Sequence, residues 1–125
     1  CRKKDVAKQG NDNRFWTGHG EISGTYWKDI ANRAKRGISV TIQDIWELFL
    51  KQGRRCALTG VELVFSGAYR QGQTASLDRI DSLKGYHISN IQWVHKDVNL
   101  MKNNFDQNLY VETCKLVANY NKTHE

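Results

Sequence analysis

The first half of the chain has the spacing of hydrophobic and polar positions that is typical of two helices. Apolar residues recur every three or four positions over 23–36, which predicts an amphipathic helix with basic residues on its polar side. A second helix is predicted over 42–52, because Thr41 and Asp44 form a capping-box signature and Gly53 is a natural terminator. The apolar side of this second helix is expected to lie in the core.

The second half of the chain alternates between short apolar segments and polar turns. Strands are predicted at 61–65, 75–80 and 91–94, separated by a polar loop over 66–74 and a turn over 82–85. Helices are predicted over 95–103 and over about 107–120. The last helix is expected to bury four side chains, which are Leu109, Tyr110, Cys114 and Val117. Strands followed by a helix and flanked by other helices predict an α+β fold.

The formal net charge of +6 is concentrated in the first half of the 125 residues. Residues 1–55 hold 12 Lys and Arg against 6 Asp and Glu, whereas residues 56–125 hold 7 against 7. This asymmetry predicts that a polyanion would bind the first half, and a solvated basic surface is the alternative explanation. Residues 1–20 are polar and aperiodic and are expected to form a leader or an extended arm.

The cysteines and the apolar runs set limits on the class of protein. Three cysteines with no CxxC pair (Cys1, Cys56 and Cys114) argue against a disulfide framework and favour a reducing compartment. A complete structural zinc site within the chain is therefore not expected. No apolar run approaches the roughly 18 residues of a membrane span, so no membrane partner is expected. Because the chain begins with Cys1, we expect a fragment or a processed product.

One segment, 76–102, holds the residues that predict chemistry, and it reads SLDRIDSLKGYHISNIQWVHKDVNLMK. Asp78 lies at the end of a predicted strand, and Asn99 lies on the helix that follows the next strand. A helix packed across a hairpin would bring these two side chains towards one hard cation. Oxygen ligands with few protein donors suit Mg²⁺, which completes its shell with water and phosphate.

This segment resembles the HNH (ββα-metal) endonuclease superfamily, and in particular phage and bacterial HNH-like proteins with an SLDRIDxxKGYxxxN motif. The resemblance is strongest over 56–102 and extends weakly back to about Gly20 and forward to Tyr120. It implies a ββα-metal hairpin-plus-helix core with flanking helices at both ends. It also implies hydrolysis of double-stranded DNA with Mg²⁺ (or Mn²⁺), in the cytoplasm of a bacterial or phage-infected cell.

The resemblance also implies a role for each matching residue. By position, Asp78 corresponds to the first metal ligand and Asn99 to the second metal ligand on the helix. Asn90 corresponds to the residue whose side chain ties the hairpin loop to itself, and Lys102 to a phosphate contact.

Two departures from the family pattern change this picture. The position that usually holds the histidine base is Arg79, which stays charged and is better suited to clamping a phosphate oxygen. Asp81 is then our first candidate for the base, because it would share a strand face with Arg79, and His87 and His95 are the others. Activation of bulk water by the metal alone is a further alternative.

The second departure concerns the zinc that braces many relatives through two CxxC pairs. The corresponding positions are Cys56, Thr59, His95 and Val98, and only two of these four could bind a metal. We therefore expect a zinc-free version, in which Leu58, Val98 and their apolar neighbours replace the metal by packing.

Three segments are predicted: the arm (1–20), a basic two-helix segment (21–54) and an HNH-like nuclease domain with a C-terminal helix (55–125). The basic segment is expected to contact the DNA backbone through Lys28, Arg33, Lys35 and Arg36. A catalytically inactive HNH scaffold that binds DNA is the alternative function. An RNA-binding or protein-binding domain is a third.

Overall fold

The computed structural model describes residues 17–65 and 72–123, so residues 1–16, 66–71 and 124–125, with most of the expected arm, lie outside the described residues. Its elements are, in order, α1 (Gly24–Arg33), α2 (Ile42–Lys51), β1 (Ala75–Arg79), a 3-10 turn (Ile88–Asn90), β2 (Ile91–His95), α3 (Lys96–Lys102) and α4 (Gln107–Thr123). The fold is therefore α+β, as predicted. Within the described part of the chain, no helix is long and apolar enough to cross a membrane.

Local capping explains where the first two helices begin. The Ser23 side chain accepts a hydrogen bond from the Tyr26 backbone N–H at the start of α1. Thr41 and Asp44 form the predicted capping box of α2, with N···O distances of 2.9 and 3.2 Å. Helix α1 ends at Arg33, three residues before the predicted end, because Ala34 (φ −81°, ψ 67°) has left the helical conformation.

The hairpin contains two strands and not three. Strands β1 and β2 pair antiparallel, with Asp78 opposite Gln92. The predicted strand at 61–65 is wrong, because its backbone groups bond to separate partners and form no continuous ladder. Leu63 N–H donates to the Arg54 carbonyl, and the Val64 carbonyl accepts from residues 74 and 75.

One aromatic-rich core holds these elements together. Trp93 on β2 is fully buried, and its indole N–H donates to the Ile45 carbonyl at 2.8 Å. Its ring centroid lies 5.6 Å from that of Phe49 and 5.3 Å from that of Phe65, both in edge-on contact. The predicted segments 21–54 and 55–125 both contribute to this core, so α1 and α2 are packed directly beside the hairpin.

Helix α4 is much more exposed than predicted. It was expected to bury Leu109, Tyr110, Cys114 and Val117, but it has no buried residue, and Leu109 is 56% exposed. Only Tyr110 packs partly against the core. Asn103, with a positive φ of 50°, turns the chain after α3, and α4 leaves the hairpin with its apolar side mostly uncovered.

Candidate functional site

Helix α3 lies across β1 in a defined register. Ser76 and Asp78 share one face of the strand, and Asn99 and Lys102 share one face of the helix. The Asn99 amide nitrogen donates to the Ser76 hydroxyl at 2.7 Å, and the Lys102 ammonium donates to Asp78 Oδ2 at 2.8 Å. The two contacts therefore place Asn99 over Ser76, and Lys102, rather than Asn99, against Asp78.

Asp78 is a buried carboxylate with one oxygen engaged by two donors. It is 5% exposed, and its Oδ2 accepts from Lys102 and from the Gln92 amide nitrogen at 2.9 Å. No described residue donates a hydrogen bond to its other oxygen, Oδ1. Gln92 also donates to Gln107 Oε1 at 2.7 Å, which connects the hairpin to the first residue of α4.

Lys102 does not have its expected position. It is 1% exposed, and its ammonium also donates to the Arg79 carbonyl at 3.1 Å. From this buried position the ammonium cannot reach a phosphate at the surface. The prediction that Lys102 contacts phosphate is therefore wrong, and Lys102 is instead the charge partner of Asp78. A buried ammonium is stable only beside such a partner.

Asp78 and Asn99 nevertheless line the same surface groove, of about 350 Å³. We call it the Asp78 groove, and Arg79, Ser82, Tyr86 and Lys96 also line it. Because the Asn99 nitrogen is used by Ser76, its carbonyl oxygen and Asp78 Oδ1 are the oxygens left for a cation. Two oxygen donors fit Mg²⁺ with water and phosphate in its remaining positions. The Lys102 ammonium beside Oδ2 weakens this attraction.

In the described ranges, no group of three or more His, Cys, Asp or Glu side chains is clustered as a metal site. Any divalent ion in the Asp78 groove would therefore depend on the amide oxygen and on its substrate as well as on one carboxylate. That donor set suits a hard ion rather than a structural zinc.

Arg79 lines both the Asp78 groove and a second groove. Its guanidinium lies 5.3 Å from the centroid of the Tyr86 ring, and its Nη1 donates to the Lys84 carbonyl at 3.3 Å. The second groove, which we call the basic groove, is lined by Arg33, Lys35, Arg36 and Arg79. Arg79 thus remains a candidate for a phosphate clamp.

The other predicted phosphate contacts are distributed unevenly. Arg33, Lys35 and Arg36 lie in the basic groove at the end of α1, whereas Lys28 is exposed but does not line it. Lys96, at the start of α3, lines the Asp78 groove and was not predicted.

Asp81 does not have the geometry that made it our first candidate for the base. Strand β1 ends at Arg79, so the two side chains do not share a strand face. The Asp81 carboxylate instead accepts a hydrogen bond from the Leu83 backbone N–H at 3.0 Å and shapes the loop. It lines the basic groove and is not among the residues that line the Asp78 groove.

The two histidines also lie apart from Asp78. His87 Nδ1 is 2.6 Å from the Ser39 hydroxyl, on the segment that joins α1 to α2. His95 Nδ1 accepts from the Asp97 backbone N–H at 3.1 Å and caps α3. His95 pairs with Ala75, three positions along the ladder from Asp78, or about 10 Å. Neither histidine lines the Asp78 groove as described.

Asn90 ties the hairpin loop to itself. Its Oδ1 accepts from the Asp81 backbone N–H at 2.9 Å, and its nitrogen donates to the carbonyls of Asp81 and Gly85 at 3.0 and 2.9 Å. The side chain is buried, so these bonds replace water for three polar groups.

Gly85, the glycine of the KGY motif, lies where no larger residue fits. A Cβ there would overlap the carbonyl oxygens of Gly37 and Arg36. Two backbone hydrogen bonds of 2.9 Å join the loop to the segment after α1. The Tyr86 N–H donates to the Gly37 carbonyl, and the Ser39 N–H donates to the Tyr86 carbonyl. The loop is therefore docked on the basic end of α1.

Two of the four positions considered for a structural zinc lie in the core. Cys56 and Val98 are buried, and Leu58 packs partly against the core. Burial opposes ionisation of the Cys56 thiol, but hydrogen bonds from Thr59 and from neighbouring backbone N–H groups outweigh it and lower the pKa of Cys56 below the ordinary 9.0.

Three polar residues of the site were missed by sequence reasoning: Ser76, Gln92 and Lys96. The strand register would have found Gln92, because it stands opposite Asp78. Ser76 follows from the alternation of β1, two residues before Asp78.

No family model, no curated protein and no solved structure matches this chain. The function is therefore argued from the site itself.

Proposed function

We propose that this chain is a divalent-metal-dependent endonuclease that hydrolyses phosphodiester bonds of double-stranded DNA on an HNH-like ββα-metal scaffold. One observation carries the proposal: a buried carboxylate with an unengaged oxygen, Asp78, lines a groove together with the oriented amide of Asn99. Cationic side chains border this groove, as hydrolysis of a polyanion requires.

The chain's own residues would hold the site rigid and bind the phosphate. Gln92 and Lys102 fix the Asp78 carboxylate, and Ser76 fixes the Asn99 amide. Arg79 and Lys96, which both line the groove, would neutralise the charge of the scissile phosphate. Mg²⁺ or Mn²⁺ bound by Asp78 and Asn99 would polarise that phosphate and make nearby water more acidic.

No side-chain base is assigned. The three candidates, Asp81, His87 and His95, are each engaged in a local hydrogen bond outside the Asp78 groove. In the proposed reaction a solvent water attacks the scissile phosphorus, its proton passes to bulk solvent, and the bond from phosphorus to the leaving oxygen breaks. Replacing His87 or His95 is therefore expected to leave the hydrolysis step nearly unchanged.

A specific observation favours a second function, a DNA-binding module without catalysis. The Lys102 ammonium already neutralises Asp78 at 2.8 Å, as a bound cation would. If that pair persists on DNA, the groove would contact the backbone without cleaving it.

Plasmid nicking separates the two functions. Supercoiled plasmid is incubated with the protein in Mg²⁺, in Mn²⁺ or in EDTA, and binding is measured in EDTA over a range of salt. The endonuclease proposal expects nicked or linear plasmid with a divalent metal only. Binding that weakens steeply with salt, with no cutting in either metal, would support the binding module.

A further inference from the structure

Two exposed apolar side chains stand at the rim of the basic groove. Leu83 is 72% exposed and Phe105 is 58% exposed, and both line the groove with Arg33, Arg36 and Arg79. Exposed apolar residues are ordinary when scattered, but here they lie beside a concentration of cationic charge.

The loop that carries Leu83 is held from several directions. The Asp81 carboxylate accepts from the Leu83 N–H at 3.0 Å, and the Asp81 carbonyl accepts from the Lys84 N–H at 3.1 Å. Asn90 braces the same loop from inside, and Gly85 docks it on the α1 end. These contacts order a loop whose tip carries an apolar side chain that packs little within the chain.

The turn that carries Phe105 is also ordered. The Phe105 N–H donates to the Lys102 carbonyl at 3.0 Å, and the Asp106 carboxylate accepts from the Leu109 N–H at 3.0 Å. The two acidic residues of the groove, Asp81 and Asp106, are therefore both engaged by backbone N–H groups. The groove is lined by four cationic side chains against these two carboxylates, so its net charge of +2 attracts phosphates.

We propose that Leu83, together with Phe105, forms an apolar wedge that enters between base pairs of duplex DNA while the basic groove holds the backbone. The inference rests on the proposed DNA partner. Charge complementarity selects the polyanion, and its stacked bases offer the apolar surface that these side chains lack. Rigid support matters, because opening a base step costs a few kcal/mol and a mobile side chain would withdraw instead.

Linking number tests the wedge without cleavage and without a known recognition sequence. Relaxed closed-circular plasmid is treated with the protein and with a topoisomerase that needs no metal, in EDTA. Opening base steps untwists DNA, so the wild-type protein is expected to lower the linking number. At equal DNA occupancy, Leu83→Ala should roughly halve the shift and L83A/F105A should nearly remove it. Leu83→Met should keep it, and Leu116→Ala, at an exposed apolar position on α4, should leave it unchanged.

The outcomes that would contradict the wedge are the following. The wedge is wrong if the bound wild-type protein leaves the linking number unchanged, or if the double variant shifts it as much as the wild type does. The proposed nuclease would survive either result if plasmid is still nicked in Mg²⁺. Absence of any DNA binding removes both proposals together. The substituted side chains are exposed, so the variants are expected to fold, which unfolding curves would verify.

Discussion

The Lys102 ammonium lies 2.8 Å from Asp78 Oδ2, with both side chains buried. This pair connects the end of α3 to the end of β1 and holds the carboxylate on which the proposed chemistry depends. It has two consequences: the hairpin and helix are coupled energetically, and a divalent ion at Asp78 would meet a resident positive charge.

Breaking this pair should cost far more stability than breaking an exposed one. Lys102→Met leaves Asp78 as an uncompensated buried charge, and we expect a loss of about 3–5 kcal/mol in the free energy of unfolding. The double variant D78N/K102M should lose less, because both charges are gone. Lys115→Met, which removes the exposed pair with Glu112, should cost about 0–1 kcal/mol. Urea unfolding measures all three, and similar losses for Lys102→Met and Lys115→Met would contradict the coupling.

Asn90 should contribute to stability through its three hydrogen bonds. Asn90→Ala leaves the Asp81 N–H and the carbonyls of Asp81 and Gly85 without their partner, and we expect a loss of about 1–3 kcal/mol. Asn119→Ala on exposed α4 is the matched control and should be nearly neutral. Thermal or urea unfolding would decide, and equal effects of the two substitutions would count against the loop tie.

The basic groove should determine how DNA binding depends on salt. The double variant K35Q/R36Q should lower the slope of log K against log salt by about 2, if each cation contacts one phosphate. The double variant K51Q/K122Q removes the same charge from exposed positions that do not line the groove. Anisotropy titrations on a duplex should show a reduced slope for the first variant alone. A reduction shared by both would mean that only the net charge matters.

Cys56 should make stability depend on pH above neutrality. Its folded pKa lies below the ordinary 9.0, so ionisation favours the folded state. This contribution is fully present above the unfolded pKa and is lost as the pH falls through the folded pKa. The free energy of unfolding of the wild type should therefore rise, relative to Cys56→Ala, as the pH approaches 9.0. A constant difference across that range would show that the Cys56 thiol has the same pKa in the folded and unfolded states.

Sequence patterns predicted those elements whose ends are set locally. The capping box of Thr41 and Asp44 gave the start of α2, and the alternation around Asp78 gave β1. The end of α1 was wrong, since nothing local at Ala34 opposes a helix. The backbone around Arg36 instead meets the Gly85 loop, which is distant in sequence.

The contacts of the candidate site depend on registers that no local pattern shows. An Asn and a Lys three residues apart predict one helix face, but not which of them stands over Asp78. Which side chain contacts Asp78 depends on the register in which α3 packs on β1, and in this structure it is Lys102. For the same reason, the apolar spacing of α4 showed an amphipathic helix without showing what would cover its face.

The dependence of plasmid nicking on Asp78 and Asn99 tests the central claim most directly. Nicking rates are measured in Mg²⁺ for the wild type, for D78N/K102M, which leaves no buried charge without its partner, and for Asn99→Ala, at protein concentrations that give equal DNA binding in EDTA. We expect the wild type to nick and both variants to fall to the rate of the protein-free control while still binding DNA. Wild-type nicking by either variant would contradict the proposed site.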